Sequence, residues 1–171
     1  MLFRSSPVGP YVAASAVRWT ASRQRGLDVF ESPGDGRYEI TFHDAQDGGG
    51  RAAVARTRRS DIAPDTPYLY FDVDDGFALS LDGGRTAVEV TWLDAGCETA
   101  ALQYDSTDIG SSVCDGAFRQ AGVIELSGTG AWKTATFELP ACWFANRENG
   151  ADFRFAVRGG ARTFTVREVV V

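Results

Sequence analysis

Between residues 68 and 77 the chain reads Tyr-Leu-Tyr-Phe-Asp-Val-Asp-Asp-Gly-Phe, and few stretches of it place so much potential chemistry in so little length. Alternate side chains of an extended strand point to opposite faces. Leu69, Phe71 and Val73 therefore fall on one side, and Tyr68, Tyr70, Asp72 and Asp74 on the other. The first set is a core face. The second is a row of amphipathic rings running into carboxylates, which suits a hydroxyl-rich ligand: flat rings meet C–H faces and carboxylates accept from vicinal hydroxyls. An ordinary solvated strand would show the same pattern, so the rest of the chain has to weigh in.

Four tryptophans add candidates. Trp92 alternates in phase with Val88 and Val90 and is expected in the core, and Trp19 is expected to pack an N-terminal strand. Trp132 opens a strand on the face of Thr134, Thr136 and Glu138, and Trp143 lies in the polar loop from Pro140 to Gly150, which makes these two the preferred aromatic platforms. Hydrogen-bonding partners would come from Asp72, Asn146, Arg147 and Arg154, since arginine can fork onto two acceptors. Tyr68 and Tyr70 rank second, because loops can cover the outer face of a central strand.

Asp72, Asp74 and Asp75 invite a Ca²⁺ reading, since that ion needs several oxygen ligands. They do not make an EF-hand loop: Gly76 stands where the third acidic ligand belongs, and no Glu follows at the closing position. No Gly-x-Ser-x-Gly elbow is present, the sole histidine is His43, and no pair of acids is singled out for glycoside hydrolysis. Catalysis is therefore not expected. No cofactor is required by these residues.

The elements that must position these groups are strands. Alternation recurs at Tyr38/Ile40/Phe42, Val88/Val90/Trp92, Ala135/Phe137/Leu139 and Phe153/Phe155/Val157, and a β-branched run closes residues 164–171. Turn signals fall between them, at Asp35-Gly36, Asp47-Gly48, Asp75-Gly76, Asp82-Gly83, Asp115-Gly116 and Asn149-Gly150. Helical periodicity is confined to residues 11–25, where Val17 and Trp19 fit a strand equally well. Roughly ten short strands with polar turns predict an all-β fold, an antiparallel β-sandwich of jelly-roll type. Residues 1–25 are read as an N-terminal extension or first strand and 26–171 as the sandwich domain.

Bulk properties narrow the partners. The 171 residues are 44% hydrophobic and 23% charged, enough for one well-filled core. A net charge of -6 argues against general nucleic-acid binding, and Arg51, Arg56, Arg58 and Arg59 have no aromatic residues among them. No apolar run approaches the roughly 18–20 residues of a membrane-spanning helix, and a monomer is expected. Arg4 with Ala14-Ser15-Ala16 faintly resembles a secretion signal, but Pro7, Gly9 and Pro10 interrupt it, so a module of a longer secreted protein is the expectation. Of Cys97, Cys114 and Cys142, the first two are the expected pair in an oxidising compartment.

Three blocks, Tyr68–Phe77, Gly128–Pro140 and Phe144–Phe155, resemble in order and spacing the galactose-binding-domain-like jelly-roll accessory domains and carbohydrate-binding modules of secreted bacterial glycoside hydrolases. The resemblance covers about residues 26–171, with Trp132 and Thr134 at its Trp-x-Thr strand opening; the cysteines and Trp143 depart from its pattern. It implies a non-catalytic domain, extracellular or periplasmic, that binds a polysaccharide or oligosaccharide and targets the catalytic domain of the same parent protein to it. It also allows a structural Ca²⁺. The alternatives are a structural interaction domain that packs on a catalytic partner without binding sugar, and a small jelly-roll lyase or hydrolase.

Overall fold

A computed structural model describes residues 16–20, 23–30, 32, 38–43, 50–56, 68–78, 84–110, 113–160 and 163–171. The turns expected at Asp35-Gly36, Asp47-Gly48 and Asp82-Gly83, the stretch before residue 16, and Arg58 and Arg59 lie outside the described residues.

In chain order the strands are β1 (Arg18–Thr20), β2 (Arg23–Arg25), β3 (Leu27–Phe30), β4 (Tyr38–His43), β5 (Gly50–Arg56), β6 (Tyr68–Val73), β7 (Gly84–Leu93), β8 (Thr99–Tyr104), β9 (Arg119–Glu125), β10 (Trp132–Cys142), β11 (Phe153–Arg158) and β12 (Thr163–Val170). They form two antiparallel sheets. The first runs β10-β7-β12-β1-β2, and β5, carrying β4, pairs with the other half of β12 beside β1. The second runs β3-β6-β11-β8-β9. The expected all-β sandwich is the fold, and the helix-compatible stretch before residue 26 contributes strands. The helices among the described residues are single turns, so none of them is long or apolar enough to cross a membrane.

Period-two alternation builds the core between the sheets. Leu69, Phe71 and Val73 of β6 are buried as expected, and Phe153, Phe155 and Val157 of β11 join them with Ala100, Leu102 and Tyr104 of β8. Val88, Val90 and Trp92 of β7 face them from the first sheet. Trp19 meets Phe71 edge-on at 5.6 Å, and Phe71 stacks on Phe153 at 5.1 Å. Rings in these geometries add to the area they remove from water.

Two irregularities reset the alternation. Between Val166 and Glu168 the register of β12 against β7 slips by one residue, so that Phe164 and Val166 face inward, Arg167 is extruded, and Val169 rather than Glu168 enters the core. In β10 a second slip spans Pro140 to Cys142, with Ala141 at φ 57. Pro140 lacks an N–H and is tolerated because β10 is an edge strand.

The cysteines correct one expectation. Cys97, Cys114 and Cys142 are all free thiols. Cys97 precedes β8 and Cys114 follows it, so a strand about 20 Å long separates residues whose Cα atoms a disulfide would need within about 7 Å.

Candidate functional site

The outer face of the second sheet gathers four of the expected residues. Register places Arg154 of β11 directly between Tyr70 of β6 and Gln103 of β8, all pointing away from the core. Arg154 donates from Nε to Gln103 Oε1 at 2.7 Å and from Nη1 to Tyr70 Oη at 2.8 Å. Its Cζ lies 3.8 Å from the ring centroid of Tyr68 and 4.1 Å from that of Phe118. A cation packed against two rings, and hydrogen-bonded along its edge, has little freedom left, and it is 8% exposed despite lying on an outer face.

The neighbouring strand turns the same face acidic. Asp72, two residues beyond Tyr70, sits directly opposite Asp28 of β3. Burial, and then the charges of Asp75, Asp28 and Asp74, push the Asp72 carboxyl up to about 6. Burial and Asp74 raise Asp28 as well. Asp74 Oδ1 accepts from Gly76 N at 2.8 Å, closing the turn after β6, and Asp75 Oδ1 accepts from Asn146 Nδ2 at 3.2 Å. Among the described residues no group of three or more His, Cys, Asp or Glu could hold a metal ion, so Asp72, Asp74 and Asp75 do not by themselves fit one.

Two loops frame the stack, and buried acids tie them together. The loop from β8 to β9 supplies Phe118, and the loop from β10 to β11 supplies Asn149, whose Nδ2 donates to Tyr70 Oη at 2.9 Å. Asp105, fully buried at the end of β8, joins the loops. Its Oδ1 takes Arg147 Nε at 2.9 Å and Nη2 at 2.7 Å, and its Oδ2 takes Ala145 N at 2.9 Å. The same guanidinium donates to Ser106 O at 2.6 Å and Asp115 O at 3.3 Å, and its Cζ lies 4.3 Å from the Trp143 ring centroid. Arg147, a sequence candidate for ligand contact, is thus engaged in holding two loops, and it covers Trp143 as it does so.

Asp152 does the same for the strand end. It accepts from Val73 N at 2.9 Å and Asn146 N at 3.1 Å, and burial still drives its carboxyl up to about 7, with Asp72 and Asp105 adding to the rise. Glu148 is buried with neither carboxyl oxygen hydrogen-bonded in the structure, and burial holds it well above the usual carboxylate range against the pull of Arg154. Asn146, at φ 59, turns the loop and also buries its Oδ1 without a partner.

Trp132 stands apart. It lies on the outer face of the first sheet, half-buried, with Arg167 Cζ 4.7 Å from its ring. The preferred platforms of the sequence reading, Trp132 and Trp143, therefore sit at separate places, while Tyr68, Tyr70, Arg154 and Asp72 share one. Gln103, Phe118 and Glu148 were not singled out, and Asn149 was read only as a turn residue. Of the first three, only Gln103 carried a signal, as a polar residue between the inward-facing Leu102 and Tyr104.

No family model matches the sequence, and no curated protein matches it. Among solved structures, the K1 cleaved adhesin domain of Lys-gingipain from Porphyromonas gingivalis W83 aligns over 92% of this chain and 97% of that one, with TM-score 0.55 at 12% identity. The K3 cleaved adhesin domain of the same protein covers 85% and 90%, at TM-score 0.47 and 14% identity. The C-terminal CBM6 of a marine laminarinase from Zobellia galactanivorans covers 84% and 97%, at TM-score 0.41 and 10% identity. The first of these is a likeness of fold, running nearly end to end through both chains, and at 12% identity it carries no residue role across.

Proposed function

We propose that this protein is a non-catalytic carbohydrate-binding domain whose ligand lies on the outer face of the second sheet, over the Tyr68–Arg154–Phe118 stack. The observation that carries the reading is that stack: two half-buried rings braced by a guanidinium that is itself fixed by Gln103 and Tyr70. Sugars present axial C–H groups to ring faces and edges and hydroxyls to flanking polar atoms. A platform whose side chains are already held loses little freedom when a ligand arrives. Asp72 and Asp28 stand within the same face to accept from hydroxyls. No cofactor enters this scheme.

The biological role that follows is targeting. A weak but persistent hold on a glycan raises the effective concentration of whatever is linked to the domain, a catalytic domain of the same secreted protein being the case we favour. An interaction surface without sugar binding would be marked by a contiguous exposed apolar patch. Among the described residues the exposed large hydrophobics are Ile109, Val113 and Val123, too few to make one.

Affinity electrophoresis against a panel of soluble polysaccharides tests the reading, with Tyr68→Ala and Phe118→Ala beside the parent. Retardation by at least one glycan, lost in both variants while their thermal unfolding stays cooperative, is expected. Unretarded migration in every glycan overturns it.

A further inference from the structure

The hydrogen bonds around Arg154 all run one way, and this narrows the ligand. The inference rests on the carbohydrate-binding reading above. A guanidinium carries five N–H donors and no acceptor. Arg154 uses one on Gln103 Oε1 and one on Tyr70 Oη. Because Gln103 must present its oxygen to Arg154 Nε, its amide nitrogen is turned away with two donors of its own. Tyr70 Oη already accepts twice, from Arg154 and from Asn149. Neither Arg154 Nη2 nor Gln103 Nε2 meets an acceptor among the described residues, and neither is sealed away from solvent. Glu148, whose buried carboxyl feels the charge of Arg154, forms no hydrogen bond with it, so the edge of the stack offers donors and asks for an acceptor.

A sugar hydroxyl can supply one, but only a carbonyl or carboxylate oxygen matches a pair of donors without leaving a proton idle. The charge around the site chooses between those two. Asp28 and Asp72 face each other on this surface, Asp74 and Asp75 follow at the end of β6, and none of the four pairs with an arginine or lysine among the described residues. The chain carries net charge -6. A uronate carboxylate would approach against that field, and a neutral amide carbonyl would not. Beside the stack, Ala156 lies opposite Tyr68, and Ala101 opposite Ala156, with Val123 of β9 next in the row, so the sheet next to the donors is apolar. That floor suits a small apolar substituent.

We infer that the site selects N-acetylated hexosamine glycans, with the acetamido carbonyl accepting from Arg154 Nη2 and Gln103 Nε2 and the acetyl methyl seated toward Ala156 and the rings. Nothing covalent is involved. Binding of a 2-acetamido sugar meets both open donors, whereas a glucose unit in the same linkage meets them with a hydroxyl only.

Isothermal titration of the 171-residue chain with four probes tests this: the tetramers of β-1,4-linked N-acetylglucosamine, glucosamine and glucose, and a galacturonate tetramer. The acetylated tetramer is expected to bind at least tenfold more tightly than the glucose tetramer. Gln103→Glu, which replaces the amide donor by a carboxylate oxygen and keeps the contact with Arg154, is expected to bring the two within about threefold. Equal binding of the acetylated and glucose tetramers by the parent overturns the inference and leaves carbohydrate binding standing. Preference for the galacturonate or glucosamine tetramer overturns it too, by showing that charge governs selection. Failure of all four probes together with every polysaccharide of the electrophoresis panel removes the carbohydrate reading itself. The comparison among probes uses the parent protein, so it decides even if a variant folds poorly.

Discussion

Removing Arg147 should loosen both loops of the site at once, and the size of the effect can be worked from its contacts. The side chain makes two charge-assisted bonds to Asp105, at 2.7 and 2.9 Å, and donates to the carbonyls of Ser106 and Asp115. Arg147→Ala leaves Asp105, whose side chain is 0% exposed, with backbone donors alone. Breaking a buried ion pair by deleting one partner costs about 3–5 kcal/mol. Here the arginine side chain is 28% exposed, so water reaches part of the pair, and we expect roughly 2–4 kcal/mol. For a domain of this length that lowers Tm by about 5–15 °C. Asp105→Asn on the same background removes the stranded charge while keeping an acceptor for Ala145 N, and should recover about half the loss. Differential scanning calorimetry of the parent, both single variants and the double variant gives the coupling directly. The reasoning fails if Arg147→Ala shifts Tm by less than about 2 °C, or if the double variant is no more stable than Arg147→Ala. Hydrogen exchange should place the loosening in residues 105–118 and 143–151.

Stability should fall as pH rises from about 4 to about 7 and level off above. The folded chain keeps protons on Asp152, raised to about 7, and Asp72, raised to about 6, that the unfolded chain releases near the ordinary 3.8. Asp94 works the other way: Lys133, Thr129 and Ser127 hold its carboxyl well below the usual range, so its contribution is present above 3.8 and is lost as pH drops further. A thermal-unfolding profile flat from pH 4 to 8, or one that Asp152→Asn leaves unchanged, refutes the account. Thiol titration with an aromatic disulfide reagent should find one reactive cysteine, Cys114, in the native protein and three after denaturation, because Cys142 and Cys97 are buried and burial pushes the Cys97 thiol up to about 11. Gly116→Ala should destabilise by about 1–3 kcal/mol in a denaturant titration, since φ is +90 there and the added Cβ would stand 2.5 Å from Ser106 O. An unchanged midpoint would contradict the loop geometry.

Alternation made the strands legible. Tyr68 to Val73, Val88 to Trp92, Ala135 to Leu139 and Phe153 to Val157 all lie where the two-residue period put them, and Trp92 is in the core as expected. The slip at Arg167 was hidden, because a run of β-branched residues looks the same with or without a bulge. The site was half legible for a related reason. Tyr68, Tyr70 and Arg154 could be assigned to outer faces strand by strand, but their meeting depends on β11 lying between β6 and β8, which is a property of the pairing and not of any one strand. Phe118 gave no sign at all, sitting after Gly116-Ala117 in a turn. Asp94, Asp105 and Asp152 drew no reading from the sequence, yet all three are buried, since backbone N–H groups arriving from distant segments replace the water. The cysteine pairing failed on distance along β8, which spacing in sequence does not reveal.

The position of β12 bears on how the protein is made. One half of its length pairs with β5 and the other with β1, and its opposite edge pairs with β7. β1, β5 and β7 therefore wait for a strand that follows all of them, and they are not joined into one sheet until residues 163–170 have left the ribosome. A nascent chain stalled before that point would expose the edges of β1, β5 and β7 together, which is the state most open to aggregation and to proteases.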